Sequence, residues 1–186
     1  MNPVLFLDRD GTINVDLGGG DRYVSKPEMI EMIPNAAQAI LLAKEAGFKI
    51  ALITNQAGIA KGITQASAMP LIHSHMEQLI HPDFQFDDIQ VCPHKPENHC
   101  LCRKPRTKLL EDSVKQLNAD ISKSWFIGDH IRDLQTAAGL KIKSILVRTG
   151  NGSKYEQEAL NAEASIRPKF IANDLHEAVR WILALS

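Results

Sequence analysis

A run of four apolar residues that ends in two acids is the feature that most constrains this chain. Residues 4–7 contain no polar position, which is typical of a parallel strand buried on both faces. Asp8 and Asp10 follow, and Gly11 permits a sharp turn after them. Open α/β sheets carry their chemistry at the carboxyl ends of such strands. This junction is therefore the first candidate for a functional site. If the two acids are considered alone, they could instead form a solvated turn without a catalytic role.

Further apolar runs alternate with segments of helical periodicity. We predict strands at residues 48–53, 89–92, 124–127, 143–147 and 170–171, and helices at residues 35–46, 65–80, 107–117, 131–138, 155–161 and 174–185. This alternation predicts an α/β fold, a three-layer αβα sandwich around a central parallel sheet. The polar segment 13–34 is predicted to be a loop with a mobile glycine tip at residues 18–20 and a short hairpin at residues 29–33.

Length and composition indicate one domain. A chain of 186 residues can bury one sizeable core but not two ordinary ones, and single helices use up the segments between strands. We therefore expect residues 1–186 to form one domain without an inserted cap. The net charge of −1 gives no argument for nucleic acid or a membrane surface as a partner. The sequence shows no signal peptide and no bilayer-length apolar run, so we expect a cytoplasmic protein. With one compact domain and no cap, we expect a monomer.

Polar side chains also follow two later strands. Thr54 and Asn55 follow the second strand, Asp129 follows the fourth, and Lys104 begins a helix. Taken singly, Thr54 fits a turn cap, Lys104 a solvated helix start and Asp129 a helix N-cap. Together with the acids of the first strand they form one site, where carboxylates at close range would repel. Oxygen ligands and a single lysine favour Mg²⁺ and an anionic substrate, most naturally a phosphate.

All three cysteines lie within eleven residues. Cys92 and His94 form one Cys-x-His pair, and Cys100 and Cys102 form one Cys-x-Cys pair. In a reducing compartment this pattern favours a metal over a disulfide, and four thiolate and imidazole ligands predict a closed, structural Zn²⁺ site. His99 is the alternative fourth ligand, and free thiols or a redox pair are the alternatives to zinc. A zinc ion here would fix the loop beside the catalytic edge of the sheet.

Four segments, taken in order, resemble the motifs of the haloacid-dehalogenase superfamily of phosphatases. They are Asp-Arg-Asp-Gly-Thr at residues 8–12, Ile-Thr at 53–54, Lys104, and Gly-Asp-His-Ile-Arg-Asp at 128–133. The resemblance spans nearly the whole chain and implies a phosphatase that forms an aspartyl phosphate.

The resemblance implies a role for each motif residue. Asp8 would be the nucleophile, and Asp10 would protonate the leaving oxygen and then activate water. Thr54 and Lys104 would hold the phosphoryl oxygens. Mg²⁺ would lie between Asp8, the backbone carbonyl of Asp10, and Asp129. The second acid of the last motif, at position 133, would orient the lysine or a metal-bound water.

The cysteine loop and the segment at residues 54–62 resemble a small branch of this superfamily. The branch contains phosphatases of D-glycero-D-manno-heptose 1,7-bisphosphate and of histidinol phosphate. By this resemblance the substrate-binding residues are Asp16, Asn55, Gln56, Arg103 and His130. Arg103 would bind a second phosphate. The glycine-rich loop after Asp16 is longer than usual, and His130 stands where a lysine is usual.

The implied reaction is Mg²⁺-dependent release of the C7 phosphate of the heptose bisphosphate, in the synthesis of lipopolysaccharide heptose. The first alternative is a phosphatase of histidinol phosphate, in histidine synthesis, or of another small sugar phosphate. A second is phosphoryl transfer between sugars, which the absence of a cap disfavours because water would reach the aspartyl phosphate. A third is a zinc-stabilised binding module with an inactive site, which the intact motif residues disfavour.

Overall fold

The described residues form a central sheet of six parallel strands. The computed structural model describes residues 1–18 and 22–185. The strands are β1 (Val4–Leu7), β2 (Lys49–Asn55), β3 (Asp88–Cys92), β4 (Trp125–Gly128), β5 (Lys143–Val147) and β6 (Phe170–Ala172). They lie in the order β3-β2-β1-β4-β5-β6, and each neighbouring pair is parallel. The predicted α/β fold with a central parallel sheet is confirmed.

In the part of the chain that the structure describes, six α-helices cover the two faces of this sheet. They are α1 (Ala36–Glu45), α2 (Ala68–Ile80), α3 (Lys108–Leu117), α4 (Ile131–Gly139), α5 (Gly152–Asn161) and α6 (Leu175–Leu183). The buried side chains of α1, α2 and α6 pack on one face, and those of α3, α4 and α5 pack on the other. The result is the predicted three-layer sandwich. Within the described part of the chain, no helix has the length and apolar character needed to cross a membrane.

Strand β1 shows why its sequence has no polar position. Leu5 and Leu7 join the core cluster under α1, α2 and α6, whereas Val4 and Phe6 join the cluster under α3. Each of the four side chains is at most 1% exposed. Successive residues of a strand point to opposite faces, so a central strand between two helical layers needs apolar side chains at every position.

The order of the strands places a crevice beside β1. The chain proceeds from β1 outward to β2 and β3, and then returns to the other side of β1 to form β4. The connections that leave β1, β2 and β4 therefore meet at one edge of the sheet. Ligands of open α/β folds bind outside the carboxyl ends of the strands at such a reversal of strand order.

The segment between β1 and α1 differs from the prediction. Residues 29–33 do not form a hairpin of their own: Pro27–Met29 is a short 3₁₀-helix, and Met32 forms an antiparallel bridge with Asn14. The backbone N–H of Val15 donates to the carbonyl of Glu31, and that of Ile33 donates to Ile13. The segment thus pairs with the chain that leaves β1, a contact that local propensity does not reveal. Residues 19 and 20 of the predicted glycine tip lie outside the described residues.

Candidate active site

The turn expected after β1 brings both acids of the first motif to one cleft. The backbone N–H of Asp8 donates to the carbonyl of Ile127 at 3.0 Å, so Asp8 still follows the sheet. The chain then reverses, because the N–H groups of Ile13 and Asn14 donate to the carbonyl of Arg9. The side chains of Asp8 and Asp10 both line the cleft at this edge. In a continuous strand the side chains of successive residues alternate between the two faces. The turn after Asp8 breaks this pattern, and both carboxylates face the cleft.

Lys104 is the cationic centre of the site. Its Nζ lies 2.8 Å from Asp8 Oδ1 and 2.7 Å from Asp133 Oδ1, and it donates to the carbonyl oxygen of Ile53 at 2.7 Å. The side chain of Asn55 fixes the backbone of Lys104 from both sides, accepting from its N–H at 3.1 Å and donating to its carbonyl at 3.2 Å. Burial alone would lower the pKa of Lys104, but the carboxylates of Asp133 and Asp8 outweigh it and raise that pKa. The residue is therefore a buried ammonium ion.

Three carboxylates surround one small volume, and we call them the carboxylate cluster: Asp8, Asp129 and Asp133. One oxygen from each lies within 4.8 Å of the others. Burial, together with the neighbouring Asp133, raises the pKa of Asp8 to about 6 against the opposing effect of Lys104. Burial and the charges of Asp8 and Asp133 raise the pKa of Asp129 to about 8. These shifts show that the single lysine does not neutralise the cluster.

The carboxylate cluster fits a magnesium ion. Octahedral Mg²⁺ binds oxygen at about 2.1 Å, so two of its ligands lie roughly 3 to 4 Å apart. The spacing of the three carboxylate oxygens is compatible with that range. Both oxygens of Asp133 are engaged, since Oδ2 accepts from the backbone of His130 and Oδ1 pairs with Lys104. Asp8 and Asp129 line the cleft and are therefore the better side-chain ligands.

Two glycines make room for the carboxylate of Asp129. A methyl group at Gly11 or at Gly150 would overlap that carboxylate. The two glycine backbones are held together because the hydroxyl of Thr149 donates to the carbonyl of Gly11 at 2.6 Å. The backbone N–H of Asn151 donates to Asp129 Oδ2 at 2.7 Å. The loop after β5 is therefore part of the site, although none of the motifs includes it.

A buried network holds Asp10 as a carboxylate. Arg9 Nη2, Asn14 Nδ2 and Gln56 Nε2 donate to its oxygens at 2.8 to 3.0 Å. Burial alone would raise the pKa of Asp10, but the charge of Arg9 and the bonds from Asn14 and Gln56 lower it. Gln56 also donates to the hydroxyl of Thr54 at 2.8 Å and accepts from Arg9 at 2.9 Å. Its amide is buried beneath the cleft, where it donates to Asp10. Its contact with substrate stays a prediction.

The cleft contains most of the predicted site residues. Those that line it are Asp8, Asp10, Asp16, Asn55, Arg103, Lys104 and Asp129. Among the residues that the structure describes, Thr54, Gln56 and His130 are not part of its lining. His130 was predicted to contact substrate, but its Nδ1 accepts from the backbone of Arg132 at the start of α4. Its ring is tilted by 37° against that of Tyr155, with the centroids 3.9 Å apart. Its contact with substrate stays a prediction.

Sequence reasoning missed three polar residues of the cleft: Arg22, Arg132 and Asn151. Asn151 follows β5, so the argument from strand ends could have found it. Arg132 lies in the first turn of α4, between the two acids of the last motif. Arg103 and Arg132 both line the cleft, so two guanidinium groups face one space. Burial lowers the pKa of Arg103, and the nearby Arg132 lowers it further. Such a pair is suited to an anion.

A second set of side chains forms what we call the thiol cluster: Cys92, His94, Cys100 and Cys102. The sulfur atom of Cys102 lies 3.3 Å from that of Cys92, 3.4 Å from that of Cys100 and 3.2 Å from His94 Nδ1. Four ligands around tetrahedral Zn²⁺ stand about 3.6 to 3.8 Å apart, so the cluster fits zinc after a small expansion.

The thiol cluster adjoins the cleft. The guanidinium of Arg103 donates to the carbonyl of His94 at 3.0 Å while the same side chain lines the cleft. His99, the alternative ligand, is exposed and does not belong to the cluster. Burial raises the pKa of Cys92 to about 12. The pKa of Cys100 is lowered to about 7, because hydrogen bonds from Cys102 and from the backbone of Arg103 outweigh its burial.

Comparison with known proteins agrees with this geometry. Residues 101–178 match the family described as HAD-hydrolase-like. The chain is 39% identical to D-glycero-D-manno-heptose-1,7-bisphosphate 7-phosphatase of Chlorobaculum tepidum, over 95% of this chain and 92% of that protein. It is 35% identical to D-glycero-beta-D-manno-heptose-1,7-bisphosphate 7-phosphatase of Photorhabdus laumondii, over 97% and 96%. The chain belongs to the heptose bisphosphate phosphatase family of the haloacid-dehalogenase superfamily.

A solved structure of this heptose bisphosphate phosphatase family has the same fold. The D,D-heptose 1,7-bisphosphate phosphatase of B. bronchiseptica was solved with magnesium and phosphate. It is 31% identical to this chain, with a TM-score of 0.88 over 99% of each chain. The resemblance inferred from the four motifs and the cysteine loop is thereby confirmed, and this chain is an enzyme of the hydrolase class.

Proposed function

We propose that this protein is a Mg²⁺-dependent phosphatase that releases the C7 phosphate of D-glycero-D-manno-heptose 1,7-bisphosphate, for the synthesis of lipopolysaccharide heptose. The observation that carries the proposal is the placement of Asp8. Its carboxylate lies 2.8 Å from Lys104 and within 4.8 Å of two further carboxylates, at the floor of an arginine-lined cleft. The names of the relatives direct this chemistry to the heptose bisphosphate.

In the first half-reaction, a carboxylate oxygen of Asp8 attacks phosphorus and the bond from phosphorus to the C7 oxygen breaks. The ammonium group of Lys104 offsets the repulsion between this carboxylate and the phosphoryl oxygens. The hydroxyl of Thr54 accepts from Gln56, so its own proton can be donated toward the phosphoryl group. Mg²⁺, when bound by Asp8, Asp129 and the carbonyl of Asp10, supplies further positive charge at these oxygens.

Asp10 moves protons in both half-reactions. A phosphate dianion beside Asp10 raises its pKa, so the residue can bring a proton to the C7 oxygen as that oxygen leaves. In the second half-reaction its carboxylate takes a proton from water, which attacks phosphorus and frees Asp8 as inorganic phosphate forms. Arg9, Asn14 and Gln56 support this carboxylate form.

Recognition of the remaining substrate falls to the cations of the cleft. Arg22, Arg103 and Arg132 line it, and together they match the second phosphate of the bisphosphate. Asp16 also lines the cleft and accepts hydrogen bonds from sugar hydroxyls. Zn²⁺ held by the four residues of the thiol cluster would fix the loop that carries Arg103, and four protein ligands would leave no open position for chemistry.

Two further properties belong to this proposal. Residues 1–186 form one domain, since the described helices cover both faces of a single sheet. The protein works as a monomer in the cytoplasm, a reducing compartment that suits three free cysteines at a zinc site.

A substrate panel tests the proposed reaction. The zinc-loaded protein is assayed with Mg²⁺ for phosphate release from the heptose 1,7-bisphosphate, heptose 7-phosphate, histidinol phosphate and p-nitrophenyl phosphate. We expect kcat/KM for the heptose bisphosphate to exceed that for histidinol phosphate by at least about 100-fold, since histidinol phosphate lacks the second phosphate. Faster hydrolysis of histidinol phosphate would reject the proposed substrate. A sugar product that still carries two phosphate groups would indicate phosphoryl transfer instead of hydrolysis.

A further inference from the structure

We propose that Asn151 is a positioning residue that joins the sugar-binding carboxylate of Asp16 to the carboxylate cluster. Its side-chain amide holds Asp16 in the cleft, while its backbone holds Asp129. The inference rests on the proposed function, because it assigns a substrate-binding role to Asp16. None of the four motifs or the cysteine loop includes Asn151.

The contacts of Asn151 face two directions. Its Nδ2 donates to Asp16 Oδ2 at 2.8 Å, and its backbone N–H donates to Asp129 Oδ2 at 2.7 Å. The distance from Nδ2 to Asp129 Oδ2 is 3.4 Å, so the amide adjoins both acids. Asp16 and Asn151 are 135 positions apart in the chain, and both line the cleft. Asn151, in the loop that follows β5, therefore connects Asp16 in the loop after β1 with Asp129 after β4.

Asp16 needs such a support because of its charge. A carboxylate in a cleft for a bisphosphate is repelled by the phosphate groups, so it contributes to binding only by accepting hydrogen bonds from hydroxyl groups. One oxygen of Asp16 accepts from the backbone N–H of Gly18 at 3.1 Å, and the other accepts from Asn151. Each carboxylate oxygen retains a second lone pair for a sugar hydroxyl. Without the amide, rotation of Asp16 into solvent would relieve the repulsion.

Lys154 provides the matched control. Its Nζ donates to Asn151 Oδ1 at 3.3 Å, on the opposite side of the same amide, and it is exposed. Substitution of Lys154 therefore disturbs Asn151 without removing the donor to Asp16. If the effect depends on the Nδ2 donor of Asn151, it appears in Asn151→Ala and is absent from Lys154→Ala.

The first experiment compares two substrates. We expect Asn151→Ala to raise KM for the heptose bisphosphate about tenfold and to change kcat less than about threefold, because a hydrogen bond to a charged group is lost while the backbone contact to Asp129 stays. KM for p-nitrophenyl phosphate, which has no hydroxyl groups, stays within about twofold. Asn151→Asp raises KM further, since it places a third carboxylate beside Asp16 and Asp129. The proposal would be overturned if Asn151→Ala raised KM equally for both substrates. It would also be overturned if Lys154→Ala raised KM for the heptose bisphosphate as much as Asn151→Ala does.

A double-mutant cycle asks whether Asn151 acts through Asp16. If it does, Asp16→Ala/Asn151→Ala has the same KM as Asp16→Ala alone, whereas independent residues give multiplied effects. Hydrogen exchange of residues 12–18, measured without metal or substrate, gives a readout independent of turnover. We expect faster exchange in Asn151→Ala than in Lys154→Ala, and equal exchange would contradict the inference. If the unsubstituted protein does not hydrolyse the heptose bisphosphate, the proposed function fails, whereas the exchange data still decide whether Asn151 holds Asp16.

Discussion

The carboxylate cluster and the thiol cluster both gather ligands for a metal ion, but they are built in opposite ways. The carboxylate cluster takes its acids from the ends of β1 and β4 and from the first turn of α4, and a buried lysine adjoins it. The thiol cluster comes from eleven consecutive residues, and its sulfur and nitrogen atoms lie against one another at 3.2 to 3.8 Å. The first is assembled by the whole fold and the second by one loop.

This difference separates a reacting site from a structural one. In the carboxylate cluster, Lys104 supplies part of the charge that the acids need, so the fold can form before a metal and a substrate bind. Ligand atoms of Asp8 and Asp129 also line an open cleft. The thiol cluster offers four ligands, which is the full number for tetrahedral zinc. We therefore expect loss of function without unfolding when the first is damaged, and local unfolding when the second is damaged.

The largest effect is expected from Asp8→Asn. The amide keeps the shape of the side chain and a contact to Lys104, but it is not a nucleophile, so kcat should fall by a factor on the order of 10³ or more. Thermal unfolding and zinc content should stay close to those of the unsubstituted protein. Steady-state hydrolysis of the heptose bisphosphate and calorimetry check both expectations.

Asp112→Asn is the control for that substitution. Asp112 is paired with Lys108 on the exposed face of α3, so its replacement should leave turnover unchanged. Retention of more than about a tenth of the activity in Asp8→Asn would exclude this aspartate as the nucleophile.

A smaller loss is expected from Cys100→Ser. Removal of one thiolate should reduce the zinc content, measured by elemental analysis, and free the loop that carries His94 and Arg103. Because Lys104 follows directly, we expect kcat/KM to fall roughly 10- to 100-fold, a range typical of lost support at a metal site. Added Mg²⁺ should not restore it. Full activity in a zinc-free protein would show that the thiol cluster does not support the cleft.

The sequence predicted those parts of the molecule that depend on local pattern. The apolar runs marked the strands, and the polar residues after them marked Asp8, Lys104 and Asp129, because strand ends of a parallel sheet meet at one edge. The thiol cluster was predicted in the same way, since its ligands are neighbours in the chain. The branch of the family followed from the cysteine loop and the segment after β2.

The parts that escaped prediction depend on the direction of a side chain. Gln56 and His130 occupy positions that the resemblance associates with substrate, yet one points beneath the cleft and the other caps a helix. Arg9 stands between the two acids of the first motif and is fully buried, where it holds Asp10 through contacts that also involve Gln56. Asn151 follows a predicted strand, but its contacts with Asp16 and Asp129 are seen only in the folded structure. Such contacts join distant segments, and no periodicity of the sequence encodes them.

The smallest expected effect is a pH dependence of stability that has opposite signs at the two clusters. The pKa of Asp8 is about 6 and that of Asp129 is about 8 in the folded, metal-free protein, both raised from 3.8 by burial and neighbouring acids. The folded state therefore holds protons that the unfolded chain releases. The stability that these protons provide is complete below about pH 4 and is lost as the pH rises toward 8. At the thiol cluster, zinc needs deprotonated sulfur, so zinc-dependent stability rises with pH instead.

Calorimetry of zinc-loaded protein between pH 5.5 and 8.5, with and without Mg²⁺, separates these two contributions. A change of 1 kcal/mol shifts Tm by about 2 to 4 °C in a chain of this size, so an effect of a few degrees is measurable. We expect added Mg²⁺ to raise Tm more at pH 8.5 than at pH 5.5, because it replaces protons that the carboxylate cluster has lost. Asp129→Asn should remove most of the pH dependence of the Mg²⁺ effect, while the zinc-dependent stability should still rise with pH. Asp112→Asn should leave both pH dependences unchanged. If the stabilisation by Mg²⁺ were independent of pH, protons and Mg²⁺ would not compete for the carboxylates of Asp8 and Asp129.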